Sequence, residues 1–334
     1  MCDGIAADRD PRESAAGDLE WSEETNEKPA QCAGHYMHCS RLCAGLLRRS
    51  KPRGPRDVRQ ARRGPELADC GPMRESPALV ESRRFGTRSV PWLRPLGWLI
   101  AGWRDFMRCP VPGLLHGLLC ALFGGTLFWV ARNHFWLLSG AFSGFLIVAP
   151  IVATGLYAIS RALERNGRAS LADALAAWRP RDGRLIVFGL LLAFAGTGWV
   201  MTSAALITGF TSAPVRNPIE FLRVVVLADR GYLFEAWLAL GGVLAAPVFA
   251  SSVVAIPLLL DREIGVLGAV FTSWRVVMEN PVPLALWAGL LLGLTLAGMA
   301  TLMIGLVVVV PWLGHASWHA YRDLVDTSGL AERP

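Results

Sequence analysis

Long apolar runs alternate with short polar segments over most of the chain after residue 112. Four runs cover residues 113–131, 135–159, 185–207 and 234–260, and each approaches or exceeds the roughly 20 residues that a helix needs to cross a bilayer. A fifth run, 282–320, contains no charged residue and as a single helix would be about twice as long as the hydrocarbon core is thick. We therefore predict a tight turn near Gly298 and six transmembrane helices, the last two at 283–298 and 301–319.

One phrase occurs twice in the chain, as WRDFMRCPVP from Trp103 and as WRVVMENPVP from Trp274, 171 positions later. Apolar residues at helical spacing precede both phrases and also the pair Trp178–Arg179, which predicts three amphipathic helices at the membrane surface. A pair of predicted spans follows each of these helices. The fold class is thus an all-α membrane protein, built as three parallel repeats of a cytoplasmic interfacial helix plus a transmembrane hairpin. The predicted interfacial anchors are Trp103, Arg104, Trp178, Arg179, Trp274 and Arg275.

The distribution of arginine predicts the orientation in the membrane. Six arginines lie between residue 83 and the first span and six lie between spans two and three, whereas four lie in the loops on the opposite side. By the positive-inside bias, both termini are cytoplasmic. The net charge of +6 is explained by these flanking arginines, and with 53% hydrophobic and 18% charged residues the chain has no basic soluble domain for nucleic acid.

The first 90 residues differ from the rest of the chain. They are polar, contain a basic block at 41–63 and show no sustained helical or strand period, which is typical of a disordered cytoplasmic tail. An alternative is that residues 1–72 are not translated and that Met73 is the start. The integral membrane domain is predicted at 91–325, followed by a short cytoplasmic tail at 326–334.

The main candidate for chemistry is a pair of histidines near the end of the last span. His315 and His319 lie four residues apart, hence on one helix face. Two imidazoles at this spacing suit a transition metal or haem, while the alternative is that water, headgroups or carbonyls bond both rings. The spans carry no mid-membrane charge, and no hydrolase, nucleotide-binding or metalloprotease motif is present. We name no catalytic residue and expect no enzymatic activity.

The segment from about 91 to 323 resembles a family of bacterial predicted integral membrane proteins of unknown function. The resemblance rests on GWRDF, LLSGAFSGFLIVAP, SLADALAAW, IPLLLDRE, NPVPLALWA and the closing VVVPWLGHASWHAYRDL. It implies six spans in a bacterial inner membrane and no established activity. Some members are labelled as relatives of cytochrome c oxidase subunit I. The repeated hairpin is also similar to membrane domains attached to glycerophosphodiester phosphodiesterases, which implies lipid or envelope tasks.

Three functions follow as hypotheses. The first is a non-enzymatic membrane scaffold whose interfacial helices organise lipids or partner proteins. The second is a transporter of a small solute or lipid, with its site between the hairpins. The third is a respiratory-chain component that binds haem or a metal through His315 and His319.

Overall fold

The computed structural model describes residues 75–131, 152–177, 183–211, 215, 218–227, 232–328 and 330–333. These residues are almost entirely helical, apart from one two-stranded antiparallel ladder that joins the two flanks of the membrane domain. The all-α fold class is confirmed.

The segment before the first span is folded. Helix α1, Pro77–Ser82, begins at the N-cap Ser76, whose hydroxyl accepts from the Leu79 amide, and strand β1 is Gly86–Thr87. Residues 75–90 were predicted to belong to a disordered tail, and for this stretch the prediction is wrong. Its partners are distant along the chain, so local periodicity could not show them. Residues 1–74 lie outside the described residues.

The first interfacial helix and first spanning helix follow directly. Helix α2, Arg94–Arg108, has Cys109 as its C-cap, and helix α3, Pro110–Ala131, begins at the next residue. Proline at the start of α3 lacks the amide hydrogen that a continuous helix needs, so the chain changes direction here. Helix α4 is described over 152–166 and α5 is Leu171–Ala177.

The second hairpin contains a broken helix. Helix α6, Arg184–Phe210, is followed by α7, Pro218–Phe221, which continues as a π-turn over Leu222–Val226. Helix α8, Leu233–Ser252, is interrupted at Val253 and Val254 before α9, Ala255–Asp261. The Val254 amide donates to Ser273 Oγ at 3.2 Å, which satisfies one backbone group that the break releases.

The junction between the next two helices is similar to the one between α2 and α3. Helix α10, Val266–Glu279, ends at Asn280, and α11, Pro281–Ala300, begins at the next residue. A turn over 301–305 leads into α12, Leu306–Leu324, and strand β2, Val325–Asp326. The turn follows the predicted position near Gly298 by a few residues. It contains Leu302 and Met303 in the left-handed backbone region, at φ 54° and 68°.

Four helical stretches among the described residues are long and apolar enough to cross a membrane: Pro110–Leu127, Arg184–Phe210, Leu233–Asp261 and Pro281–Ala300. They correspond to the first, third, fourth and fifth predicted spans. Most of the second, 135–159, lies outside the described residues. The sixth, 301–319, overlaps α12 from residue 306 onward, and α12 is not among the four.

The largest cluster of buried apolar side chains comes from α2, α9, α10, α11 and α12, and both α2 and α3 pack closely against α12. A Cβ atom on Gly102 of α2 would lie 2.4 Å from the Ala316 nitrogen, and one on Gly117 of α3 would lie 2.2 Å from the Val307 carbonyl oxygen. Glycine is therefore what allows these helices to touch backbone to backbone. Trp98 and Trp287 meet edge to face nearby, with ring centroids 5.6 Å apart.

Other glycines of the predicted spans have open surroundings. Gly289 and Gly293 of α11 have no atom of the described residues within 4 Å of an added Cβ.

The C-terminal segment folds back onto the domain. β2 pairs with β1, with Gly86 opposite Asp326 and Thr87 opposite Val325. Beyond it, Glu332 forms a bridge with Arg262, and the Arg333 amide donates to the Asp261 carbonyl at 2.9 Å. Residues of the segment 326–334, which was predicted as a short tail, thus pack against the end of the domain that the arginine distribution predicts to be cytoplasmic.

Candidate functional site

The two predicted histidines lie in a buried polar cluster, named here the histidine cluster: Asp105, Ser160, His315 and His319. His315 and His319 lie on the same face of α12, directed at α2 and α4. His315 is completely buried and Asp105 and Ser160 are nearly so, whereas the His319 side chain is 29% exposed. The cluster therefore extends from the protein surface into the core.

Hydrogen bonds connect all four side chains. Ser160 Oγ donates to Asp105 Oδ2 at 2.8 Å, and His319 Nε2 lies 2.8 Å from the same oxygen. Ser160 Oγ is also 2.8 Å from His315 Nδ1. A serine hydroxyl has one hydrogen, so a serine that donates to Asp105 must accept from Nδ1–H of His315. This tautomer leaves Nε2 of His315 without a hydrogen.

The charge of Asp105 is stabilised by its neighbours. Burial raises the pKa of Asp105, but the hydrogen bonds from His319 and Ser160 and the electrostatic interaction with the two imidazole rings outweigh burial, so the pKa lies below its ordinary value. The carboxylate is therefore ionised near neutral pH and accepts from both donors. Arranged in this way, the cluster fastens α2 and α4 to α12.

The histidine ring nitrogens differ in whether a hydrogen-bond partner already occupies them. Nε2 of His315 is buried and has no hydrogen-bond partner among the described residues. His116 on α3 is also buried, and its Nδ1 lies 2.6 Å from the Pro112 carbonyl oxygen. In the described part of the chain, no three His, Cys, Asp or Glu side chains are grouped as a metal site requires. That His315 and His319 bind a metal or haem stays a prediction.

Sequence analysis did not identify Asp105 or Ser160 as partners of the histidines. Ser160 is 55 positions from Asp105, and His319 is 214 positions from it, so spacing carried no signal. One signal was available for Asp105. It lies on the same helix face as the apolar residues Trp98, Leu99 and Phe106, all of which are buried, and a carboxylate on such a face needs a polar partner.

The predicted interfacial anchors have different surroundings. Trp103 is 40% exposed and packs on Phe106 and Trp312, while Arg104 is exposed. Trp274 is also 40% exposed, but its Nε1 donates to Ser251 Oγ at 2.9 Å beside the break between α8 and α9.

Arg275 has a role that the sequence did not predict. Its guanidinium donates to the carbonyl oxygens of Ser82, at 2.9 Å, and Phe85, at 3.3 Å. It therefore holds the α1–β1 segment against α10. Trp178 and Arg179 lie outside the described residues.

Helix α2 has an exposed apolar face, named here the α2 stripe: Leu96, Ile100, Trp103 and Met107. All four side chains are at least 40% exposed, and their spacing places them along one side of the helix. The opposite side is buried against the domain. The helix is therefore apolar on two sides, of which the protein covers one.

The α2 stripe recurs in register further along the chain. On α10 the matching positions, 171 residues later, are Leu267, Phe271, Trp274 and Met278; three are exposed and Phe271 is half-buried. We name these four the α10 stripe. On α5, Leu171 and Leu175 are exposed at the spacing that leads to Trp178. The pattern therefore recurs on α10 and, over its first two positions, on α5.

Comparison with known proteins agrees with the all-α membrane fold described above. The chain is an all-α integral membrane protein with helices able to span a bilayer. Residues 137–261 match the model of a family described as "Predicted integral membrane protein (DUF2189)". The match confirms the resemblance to an uncharacterised family of membrane proteins. No curated protein and no solved structure matches the chain.

Proposed function

We propose that this protein is a non-enzymatic scaffold of the bacterial inner membrane, whose interfacial helices hold lipids, and through them partner proteins, at the cytoplasmic surface. The observation that carries the proposal is the exposed α2 stripe and its recurrence as the α10 stripe. A run of large apolar side chains at helical spacing is unfavourable in water. In the interface of a bilayer the same run is buried, with the exposed Arg104 and Arg108 at headgroup depth.

The proposal includes six spans, arranged as three hairpins with both flanks in the cytoplasm. Contacts between the ends of the hairpins support this arrangement. Ser160, after the first hairpin, bonds Asp105 before it. Asp261, after the second, accepts from Tyr321 Oη at 2.8 Å at the end of the third. Each hairpin thus returns to one face of the domain.

The test is the double substitution Trp103→Ala and Trp274→Ala in the full chain. We expect the purified protein to retain clearly less phospholipid after detergent exchange, because burying one large apolar side chain stabilises by roughly 1.5–3 kcal/mol. The measurement is phospholipid phosphorus per protein.

The control is Phe194→Ala on α6, which removes an aromatic side chain that is 83% exposed but belongs to a spanning helix. We expect this variant to match the wild type. Equal phospholipid in the double variant, the control and the wild type would contradict the scaffold proposal.

A second candidate function is binding of a metal or haem in a redox component. Its support is the buried Nε2 of His315, which has no hydrogen-bond partner among the described residues. This candidate function assigns the ligand role to His315, since Nε2 of His319 already bonds Asp105.

Metal analysis and an absorption spectrum of purified protein test this candidate. Stoichiometric metal or a Soret band is expected in the wild type, lost in His315→Gln and retained in His319→Gln. A colourless, metal-free wild type would contradict it. Transport of a small solute or lipid between the hairpins stays a prediction.

A further inference from the structure

A polar cavity of about 320 Å³ lies where the C-terminal segment folds back onto the domain. Three guanidinium groups line it, from Arg88 after β1, Arg262 after α9 and Arg322 near the end of α12. The remaining polar lining is Asp326, Thr327, Ser328 and Glu332. The cavity is separate from the histidine cluster.

Arg262 is held rigidly in the cavity wall. Its side chain is 5% exposed, and its Nε donates to Asp261 Oδ2 at 3.0 Å. Its two other nitrogens donate to the Leu330 carbonyl, to Glu332 Oε1 and to Thr327 Oγ1. Arg322 donates to the same Thr327 oxygen at 3.1 Å and pairs with Glu164.

Thr327 has a hydrogen-bond donor to spare. Its Oγ1 accepts two N–H bonds, from Arg262 and Arg322, which occupy both lone pairs of the hydroxyl. The hydroxyl hydrogen must then point away from both guanidinium groups, and it has no acceptor among the described residues. Thr327 is 7% exposed, so this is a buried donor at the edge of a cavity.

Arg88 supplies the accessible charge. It pairs with Asp326 at 2.8 Å through one nitrogen, and its side chain is 53% exposed. Its other N–H groups can therefore reach a molecule in the cavity. With three guanidinium groups against the two carboxylates of Asp326 and Glu332, the lining has a net positive charge and favours an anion.

We propose that this cavity binds the phosphate group of an anionic molecule, with Arg88 and the Thr327 hydroxyl as its donors. Phosphate oxygens accept charge-assisted bonds from guanidinium groups and a further bond from a hydroxyl. The phosphate can belong to an anionic lipid headgroup at the membrane surface or to a free phosphate. Binding here does not depend on the α2 stripe or the α10 stripe.

Calorimetric titration of the full chain in a non-ionic detergent tests the proposal. The probes are inorganic phosphate, dihexanoyl phosphatidylglycerol and, as a zwitterionic reference, dihexanoyl phosphatidylcholine. We expect saturable binding of at least one of the first two. Arg88→Gln should bind about tenfold more weakly or worse, as expected for the loss of one charge-assisted hydrogen bond.

Matched variants separate binding from folding. Arg83→Gln removes an arginine that is 62% exposed and pairs with Glu75 at 2.8 Å, outside the cavity, and should bind like the wild type. Thr327→Ser keeps the hydroxyl and should bind normally, whereas Thr327→Val should not. If Thr327→Val fails to fold, Arg88→Gln decides, because its side chain is exposed.

The outcomes distinguish the two sources of the phosphate group, a lipid headgroup and a free phosphate. Binding of inorganic phosphate supports a free anion, and binding of phosphatidylglycerol without phosphate supports a lipid headgroup. No saturable binding of either probe by the wild type would overturn the proposal, as would equal affinities of Arg88→Gln and Arg83→Gln. Both results leave the phospholipid test of Trp103 and Trp274 unaffected, so the two proposals can fail separately.

Discussion

At the scale of single residues, glycine determines how closely α2 approaches α12. The backbone of Gly102 faces that of Ala316, and an added Cβ would lie 2.4–2.7 Å from its nitrogen, Cα and Cβ atoms. No rotamer change can relieve an overlap with backbone atoms, so one of the helices would have to move. Movement would also stretch the hydrogen bonds of Asp105, which lies on the same buried face of α2.

We therefore predict that Gly102→Ala is strongly destabilising. Overpacking of a core costs typically 1–3 kcal/mol, and a backbone overlap places this variant at the upper end or beyond. The measurement is thermal unfolding of the purified protein in one detergent.

Gly97→Ala is the matched control on the same helix. The nearest atoms to its added Cβ belong to the flexible Arg94 side chain, at 3.9 and 4.0 Å. Replacing this glycine should stabilise by up to about 1 kcal/mol through helix propensity. A Gly102→Ala variant as stable as Gly97→Ala would contradict the close contact.

The candidate site shows what residue spacing could and could not predict. His315 and His319 were recognised because a spacing of four places two side chains on one helix face. Asp105 and Ser160 were not recognised, since both come from other helices and only packing of α2 and α4 on α12 brings them there. Thr327 was missed for a similar reason. Its significance depends on two arginines that converge on it in three dimensions.

At the scale of elements, helix boundaries were predictable where proline marks them. The Pro-Val-Pro phrases predicted a change of direction after the interfacial helices, and the C-caps of α2 and α10, Cys109 and Asn280, each come one residue before the proline that starts the next helix. Long apolar runs likewise predicted α3, α6, α8 with α9, and α11. These features depend on local covalent geometry and on length alone.

Other boundaries depended on tertiary contacts. The break at Val253 and Val254 lies within one apolar run. The Val254 amide donates to Ser273 Oγ of α10, and the Ser251 hydroxyl beside the break accepts from Trp274 Nε1 of α10. The turn before α12 uses Leu302 and Met303 at positive φ, which branched or bulky residues seldom adopt. Neither feature has a compositional signal. The folded segment 75–90 escaped prediction in the same way.

At the scale of the whole molecule, the two flanks of the membrane domain are joined. β1 precedes the first spanning helix and β2 follows α12, yet the two strands pair. The ion pair between Arg88 and Asp326 reinforces the ladder. This pairing supports the proposal that both flanks lie on the same side of the bilayer.

This pairing predicts the result of a topology experiment in cells. Single cysteines at Glu75 and Ser328, in a chain whose native cysteines are replaced by serine, should react with a membrane-impermeant maleimide from the same side. A cysteine at Tyr232, which is 84% exposed at the start of α8, should react from the opposite side. Reaction of positions 75 and 328 from different sides would contradict the pairing and the six-span proposal together.

The ladder between β1 and β2 also bears on the order in which the chain assembles. Arg88 emerges from the ribosome 238 positions ahead of its partner Asp326, an interval on the order of ten seconds or more at the usual rates of synthesis. Throughout that interval every hairpin can insert, but β1 has no strand to join. Closure of the two flanks therefore follows the synthesis of every predicted span, and it requires the C-terminal end of α12 to be in place.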